Sequence, residues 1–215
     1  MNADTHQDLR RIIREELRGL RMPELAVVQE SHPHAQADDS DNYACTVRLR
    51  DSDTVLGRVP VMTPRKGMAS IPDVGDLVIV QYLGGDANAP VILGTFYNDE
   101  DRPPENSPGE ARLRLPADAG DGDGVDLRVS TEDTATTRIT LGSSLEMVLQ
   151  DDDPVVSIDV GGGQAALTID SDGTLTLKSN KAIVLDGQEV TIKGTSVTAE
   201  AQGELTLKGA VINLN

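Results

Sequence analysis

The stretch that decides the fold is Pro72-Asp-Val-Gly-Asp-Leu-Val-Ile-Val-Gln-Tyr-Leu-Gly-Gly-Asp-Ala-Asn-Ala-Pro-Val-Ile-Leu-Gly-Thr-Phe-Tyr-Asn98. It contains two short apolar runs, residues 76–82 and 90–94, and glycine, proline and aspartate cluster around both. Runs of this length and composition are typical of β-strands, and the clusters between them indicate turns. The stretch therefore predicts two consecutive strands of a β-domain.

Three similar runs precede this stretch, at residues 26–29, 43–49 and 55–59. Together they make five short strands within residues 22–98. Closure into a barrel is how so small a β-unit avoids bare strand edges. We therefore predict a five-stranded barrel over residues 22–98. Residues 99–111 follow as a linker, because 99–109 hold three prolines and one glycine.

Residues 112–215 form a long series of short alternating apolar runs. The near-copies Gly173-Thr-Leu-Thr-Leu-Lys178 and Gly203-Glu-Leu-Thr-Leu-Lys208 indicate an internal repeat, which favours a solenoid or stacked β-prism. Each run offers one apolar face, and the region from Arg112 onward has no aromatic residue. This suits a narrow rod in which several chains each supply one side of the core. A two-sheet sandwich made by one chain is the alternative.

Residues 1–21 predict an amphipathic helix. Leu9, Ile12, Ile13 and Leu17 recur at helical spacing, and charged residues occupy the remaining face. The apolar stripe is narrow, as suits a helix that packs on copies of itself or on a partner. A helix folded back on its own domain is the alternative.

Composition narrows the possible functions. The 215 residues carry 36 acidic and 19 basic side chains, for a net charge of −17, which opposes binding to nucleic acid and to anionic membranes. Aspartate outnumbers glutamate and arginine outnumbers lysine, a composition whose surface stays hydrated in concentrated salt and which favours a halophilic source. We expect a soluble chain with no membrane span and no cleaved leader.

Catalytic constellations are scarce. Cys45 stands alone in a strand-like run and is interpreted as a small buried hydrophobe. His32 and His34 are candidate metal ligands because Asp38, Asp39 and Asp41 follow them. They are weak candidates, since two histidines in a loop next to acidic residues more often form a solvated turn. Neither a nucleophile elbow nor a phosphate-binding glycine motif is present. We expect no enzymatic activity and no cofactor.

Five motifs carry a resemblance to a known family. They are Gly57-Arg-Val-Pro60, Pro72-Asp-Val-Gly-Asp76, Gly85-Asp86, Pro90-Val-Ile-Leu-Gly94 and Tyr97-Asn98. This pattern resembles the OB-fold domain of the central spike proteins of contractile injection machines. That family includes the phage baseplate assembly protein V, the VgrG proteins of type VI secretion and the spikes of extracellular contractile systems.

The resemblance implies a homotrimer. Three OB barrels would sit on the baseplate hub at the end of the inner tube, and residues 112–215 of the three chains would intertwine into a β-helical or β-prism needle. Sheath contraction would drive this needle through a target envelope, with only transient contact with the target membrane. The protein would belong to a virion baseplate or a contractile particle that is assembled in the cytoplasm and then released or acts extracellularly.

Departures from the family point to further partners. No histidine follows His34, so the His-x-His iron-binding tip of some phage spikes is missing. We therefore expect a separate PAAR-type tip protein to cover the exposed strand ends at Val211, Ile212 and Leu214. The large hub domains of VgrG proteins are also missing, so we expect the hub to be another polypeptide, contacted by Leu9, Ile12, Ile13 and Leu17.

Two other functions are compatible with the sequence. One is a β-helical tail fibre that binds or cleaves surface carbohydrate, although such grooves usually use aromatic residues to stack sugar rings. The other is an OB-fold nucleic-acid binder, which the charge opposes.

Overall fold

The computed structural model describes Gln7, residues 10–13 and residues 19–213. The chain is mainly β and divides into two compact units, Met1–Ser107 and Pro108–Asn215.

The first unit contains five strands, as the sequence predicts. They are β1 (Glu24–His32), β2 (Ala44–Leu49), β3 (Val55–Pro60), β4 (Leu77–Tyr82) and β5 (Pro90–Phe96). The strand order is β3-β2-β1-β4-β5, and all neighbours are antiparallel. A short 3₁₀ turn, Leu83–Gly85, follows β4 and begins the connection to β5.

The sheet of the first unit closes on itself. Strand β1 pairs with β4 through residues 24–27 and with β2 through residues 26–32, with a bulge between Val28 and Glu30. At the opposite side, Val61 and Ile92 form a parallel bridge, and the Met62 N–H donates to the Ile92 carbonyl at 2.8 Å. These contacts join the two ends of the strand order, so the unit is a small barrel.

The barrel interior is aliphatic, with one tyrosine. Its buried cluster comprises Ala26, Val28, Cys45, Val47, Leu49, Val59, Val78, Val80, Tyr82 and Ile92. The Cys45 side chain is fully buried among them, which confirms its interpretation as a small buried hydrophobe. Burial also raises the pKa of this thiol.

The turn before β4 explains the spacing of the motif Pro72–Asp76. The Gly75 N–H donates to the Val28 carbonyl at 2.9 Å, and Gly75 has a φ of +101°, where glycine carries no steric penalty. The Asp76 Oδ2 atom accepts the Asp73 N–H at 2.9 Å. The glycine therefore holds this turn against β1, and the aspartate side chain closes the turn on itself.

The second unit contains one antiparallel sheet of seven strands in sequential order. The strands are β6 (Glu110–Leu115), β7 (Val125–Ser130), β8 (Thr136–Leu141), β9 (Leu145–Gln150), β10 (Val156–Val160), β11 (Ala165–Ile169) and β12 (Leu175–Ser179). Each strand pairs with the next through a hairpin, so residues 110–179 form an open meander. Within the described chain this region is neither the solenoid that the repeat favours nor a two-sheet sandwich.

Residues 180–213 contain no regular strand. The apolar runs that predict strands at 182–185, 190–192, 196–198, 205–207 and 211–213 are present, but no strand among the described residues pairs with them. A strand is assigned by its ladder of hydrogen bonds, so an alternating run without a partner remains irregular. Leu214 lies outside the described residues.

The described part of the predicted N-terminal helix is short. Gln7, residues 10–13 and Gly19 are helical, whereas Leu9 and Leu17 lie outside the described residues, so the helix over 1–21 remains a prediction. Of the helices in the described ranges, none has the length and hydropathy needed to cross a bilayer.

Candidate assembly surface

One face of the second unit's sheet is almost entirely apolar. Because side chains alternate across a strand, the cross-strand register groups them into three rows, which together we call the apolar face. The rows are Leu115-Val125-Leu141-Leu145-Val160-Ala165-Ser179, Leu113-Leu127-Ile139-Met147-Ile158-Leu167-Leu177 and Ala111-Val129-Thr137-Leu149-Val156-Ile169-Leu175. Only Thr137 and Ser179 carry a polar group.

The apolar face is open to solvent. Leu113 and Leu177 are each 51% exposed, and residues of the central row such as Ile139 are only half-buried. The buried hydrophobic cluster of the described chain lies in the barrel, and Val148, on the opposite face of the sheet, is the one buried hydrophobic residue among the described residues of the second unit. The sheet therefore presents its hydrophobic side without a covering layer.

The area of the apolar face indicates whether another protein covers it. Seven strands spaced about 4.8 Å apart, each about six residues long at about 3.3 Å per residue, give an area of roughly 600 Å². The largest apolar patch on a monomeric protein is typically about 300–600 Å² and is often functional. The apolar face lies at the upper end of that range, as is typical of a surface that another protein covers.

The opposite face of the same sheet is charged and internally paired. Arg112 lies opposite Arg128, and Arg128 lies opposite Arg138, so three arginines cross β6, β7 and β8. Like charges in such positions repel, but each arginine has a carboxylate partner. The partners are Asp126 for Arg112, Glu110 for Arg128 and Glu146 for Arg138.

A cavity of about 200 Å³ lies beside these arginines, under the loop between β6 and β7. Arg114 extends into this region, where its Nη2 atom pairs with Asp121 at 2.8 Å and its Nε atom with Asp126 at 2.8 Å. Arginines and aspartates of the lining thus bind one another. We interpret this cavity as part of the ion-pair network of the polar face.

The two histidines that sequence singles out have different partners. His32 is buried, and its Nε2 atom lies 2.9 Å from the Thr46 hydroxyl. His34 is exposed, and its Nδ1 atom lies 2.7 Å from Asp39, whose other oxygen accepts the backbone N–H groups of Ala35 and Gln36. Hydrogen bonds to Asp39, first from Gln36, lower the pKa of that carboxyl. Among the residues that the structure describes, no three His, Cys, Asp or Glu side chains converge on a metal position.

The predicted contact residues at the two ends of the chain are exposed where they are described. Ile12 and Ile13 are about half exposed, and so is Ile212, while Val211 is 76% exposed. Leu9, Leu17 and Leu214 lie outside the described residues. Next to the barrel, the Arg21 N–H donates to the Gly85 carbonyl at 2.9 Å, so the segment entering β1 is held against the turn after β4.

The sequence predicts partner contacts at the two ends of the chain and at no individual position of the meander. The alternation of apolar residues was visible in every run, but alternation does not say which strands pair. The three rows become visible only when the register is known, and that register makes the apolar face the most extensive candidate site in the described chain.

Comparison with protein families supports the resemblance given by the motifs. Residues 36–97 match the family described as the Type VI secretion system/phage-baseplate injector OB domain. The match covers 62 of 215 residues and includes β2 to β5 of the barrel. No curated protein matches the chain. The predicted resemblance to baseplate spike proteins is thereby confirmed through this domain, and the chain is associated with baseplate and injection machinery.

Proposed function

We propose, from the premise that residues 36–97 form a baseplate-type injector OB domain, that this protein is the trimeric central spike of a contractile particle. In this role it sits on the baseplate hub at the end of the inner tube. Sheath contraction drives it through the target envelope. The role is structural, with no catalytic step, cofactor or resident metal.

The observation that carries the proposal is the apolar face. A chain with 36 acidic residues exposes about 600 Å² of aliphatic sheet, and removing such a surface from water favours association. Three copies around a threefold axis would turn three such faces towards one another and cover roughly 1,800 Å² in total, about 600 Å² for each pair of chains. This is less than one standard specific interface of about 1,600 Å², so the trimer would also use contacts outside the apolar face.

The polar face fits the outside of this assembly. Its arginines are already paired with carboxylates of the same sheet, so they can face water without seeking a partner. A closed assembly with the apolar faces inside and these ion pairs outside gives each face the environment that its side chains require.

We assign the remaining partners to the contact residues that the sequence predicts. The hub protein would bind the N-terminal segment through Ile12 and Ile13, together with Leu9 and Leu17, and the spike would meet the inner tube only through that hub. A PAAR-type tip protein would bind at Val211 and Ile212, which are exposed β-branched residues, and at Leu214. Contact with the target membrane would be transient, and the charge of −17 disfavours nucleic acid as a partner.

The first test is the mass in solution, measured by light scattering in low and in multimolar salt. We expect three times 22.9 kDa, stable on dilution. A monomer in both salts would overturn the trimer and favour the carbohydrate-binding fibre instead. The second test is location: antibodies against the chain should label the baseplate end of purified contractile particles, and label elsewhere on the particle would contradict the role of a spike.

A further inference from the structure

The outer surface of the barrel has an apolar area on β1, β4 and β5. Because side chains alternate across a strand, the residues that flank the buried Val78 on β4 face outwards, and the register places outward residues of β1 and β5 beside them. They form two rows, which together we call the barrel patch. The rows are Leu25-Ile79-Gly94 and Val27-Leu77-Phe96. Gly94 leaves a gap in the first row, because no atom lies within 4 Å of the position that a Cβ atom would take.

The barrel patch is open and is bordered by cations. Phe96 is 48% exposed, and the other side chains of the patch are half-buried. On β2, Arg48 lies opposite Val27, and the Arg50 N–H donates to the Leu25 carbonyl at 2.9 Å. Arg48 has a carboxylate partner in its own hairpin, whereas Arg50 has no ion pair in the described part of the chain. A ligand that fits this patch is therefore apolar and carries a carboxylate on the side of β2.

The dimensions of the barrel patch fit one α-helix. From Tyr82 to Leu77, β4 is about 16 Å long, and three strands spaced about 4.8 Å apart make the patch about 10 Å wide. A helix is about 10 Å across with its side chains, and a helix over residues 9–20 is about 16 Å long. An independent protein usually covers about 800 Å² on each partner, several times the area of this patch. The patch therefore suits a single helix that is already attached to the barrel.

The N-terminal segment is attached at one end of the barrel patch. The Arg21 N–H donates to the carbonyl of Gly85, in the turn after β4, at 2.9 Å. A Cβ atom on Gly85 would lie 2.5 Å from Leu20 Cδ2, so Leu20 packs directly on that turn. The segment before Leu20 carries the predicted apolar stripe, in which Ile12 and Ile13 are about half exposed. One chain thus has two open apolar surfaces of matching length, joined at Leu20.

Charge also matches between the segment and the barrel patch. Glu16 stands three residues after Ile13 and four before Leu20, so on a helix its carboxylate lies within the apolar stripe. A carboxylate that is covered by apolar surface requires a cation. Arg50, at the border of the first row, supplies one.

We propose that the barrel patch binds the N-terminal helix of the same chain, with Leu9, Ile13 and Leu17 over its two rows and Glu16 towards Arg50. Attachment at Leu20 makes the contact intramolecular, and the high effective concentration of a tethered ligand allows a small contact area to suffice. This contact belongs to the free protein and does not depend on the proposed spike. A hub that binds the same stripe would have to displace the helix from the barrel.

Limited proteolysis with trypsin tests the contact, because the segment contains Arg10, Arg11, Arg14 and Arg18. We expect cleavage at these sites in the full-length protein to be at least about 10-fold slower than in a synthetic peptide of residues 1–21. Ile79→Asp places a charge in the patch and should restore most of the rate, whereas Val55→Asp, at an exposed position of β3, should not. Protection of Cys45 from iodoacetamide reports whether the barrel remains folded in each variant. Fast cleavage of the unmodified protein, or slow cleavage of Ile79→Asp with a folded barrel, would overturn the proposal.

Chemical cross-linking identifies the chain to which the helix binds. In the variant Ile13→Cys/Gly94→Cys, the gap at Gly94 has room for the new side chain, and the native Cys45 is buried. We expect a short bismaleimide to join the two positions within one chain, as shown by a monomer mass under denaturing conditions and by peptide mapping. The control Ile13→Cys/Val55→Cys should not be joined. A product that links two chains, or no product, would overturn the proposal, and the solution mass and baseplate location would still test the proposed spike separately.

Discussion

Asp126 on β7 fixes Arg112 on β6 through a two-pronged ion pair. The Nε atom of Arg112 lies 2.9 Å from each carboxylate oxygen of Asp126, and its Nη2 atom lies 2.6 Å from Oδ2. Arg114 donates to the same oxygen at 2.8 Å. Hydrogen bonds from Arg112 and then Arg114 hold the pKa of Asp126 below its usual value. One carboxylate thus binds two arginines on the polar face of the sheet, and Asp121 supplies a second negative charge to Arg114.

Replacing this carboxylate should weaken the sheet in a pH-dependent manner. Because the folded-state pKa of Asp126 is lowered, its contribution is complete above about pH 4 and is lost as the pH falls through the folded-state value. We expect Asp126→Asn to destabilise the protein by about 1–2 kcal/mol at pH 7 and by less at pH 3. Urea unfolding at the two pH values measures both numbers. The control Asp118→Asn, in the exposed loop after β6, should have little effect at either pH, and an equal loss for Asp126→Asn at both would contradict this role.

The apolar face should be sensitive to a single charge. Ile139 lies in its central row, and its neighbour Thr140 points to the polar face. We expect Ile139→Glu to reduce the oligomer to monomers, because assembly would bury an unpaired carboxylate, whereas Thr140→Glu should leave the mass unchanged. Light scattering distinguishes the two. If both variants remain trimeric, the copies do not associate through this face.

The barrel could be predicted from the sequence because turn residues close to each strand mark where it begins and ends. Pro72–Asp76 specifies a turn by itself, and the runs on either side are long enough to predict β4 and β5 without knowing their partners. The placement of Cys45 followed from its neighbours in one strand. Each of these inferences used information within about ten residues.

The second unit was harder to predict because the sequence of each strand does not determine which other strand pairs with it. The runs at Leu145–Gln150 and Leu205–Leu207 alternate in the same manner, yet the first lies in the middle of an intrachain sheet and the second has no paired strand within the described part of the chain. Alternation indicates that one face of a strand is buried, but it does not indicate whether the same chain or another chain covers that face. The near-copies Gly173–Lys178 and Gly203–Lys208 favour a rod, but only the register shows where the meander ends.

Gly124 is predicted to be irreplaceable at the start of β7. It has a φ of +67°, and a Cβ atom there would lie 2.2 Å from the Leu115 carbonyl oxygen. Gly162 is a matched control, because it has a φ of +64° with no atom near the position of a Cβ. We expect Gly162→Ala to cost about 1 kcal/mol from backbone strain alone, and Gly124→Ala to cost about 2 kcal/mol more because the β6–β7 hairpin must open. Equal losses in urea unfolding would show that the close approach is unimportant.

Cys45 offers a probe of barrel opening. Its side chain is fully buried, and burial raises the pKa of the thiol, so both access and thiolate formation are suppressed in the folded state. We expect no alkylation by iodoacetamide at pH 8 over hours and complete alkylation in 8 M urea, as measured by mass spectrometry. Rapid labelling of the native protein would mean that the barrel opens readily at the β3–β5 closure.

Salt should stabilise the protein, and the effect should depend on its charge. A chain with a net charge of −17 repels itself, and three copies in the proposed assembly would increase that repulsion. Potassium chloride shortens the screening length from about 10 Å at 0.1 M to about 3 Å at 1 M, so the melting temperature should rise steeply to about 1 M and then level off. At the sequence isoelectric point of about 4.4 the net charge vanishes, and the same salt series should then have little effect. A rise of equal size at pH 7 and pH 4.4 would attribute the stabilisation to salting-out of apolar surface instead, and would remove the physical basis for expecting a halophilic source.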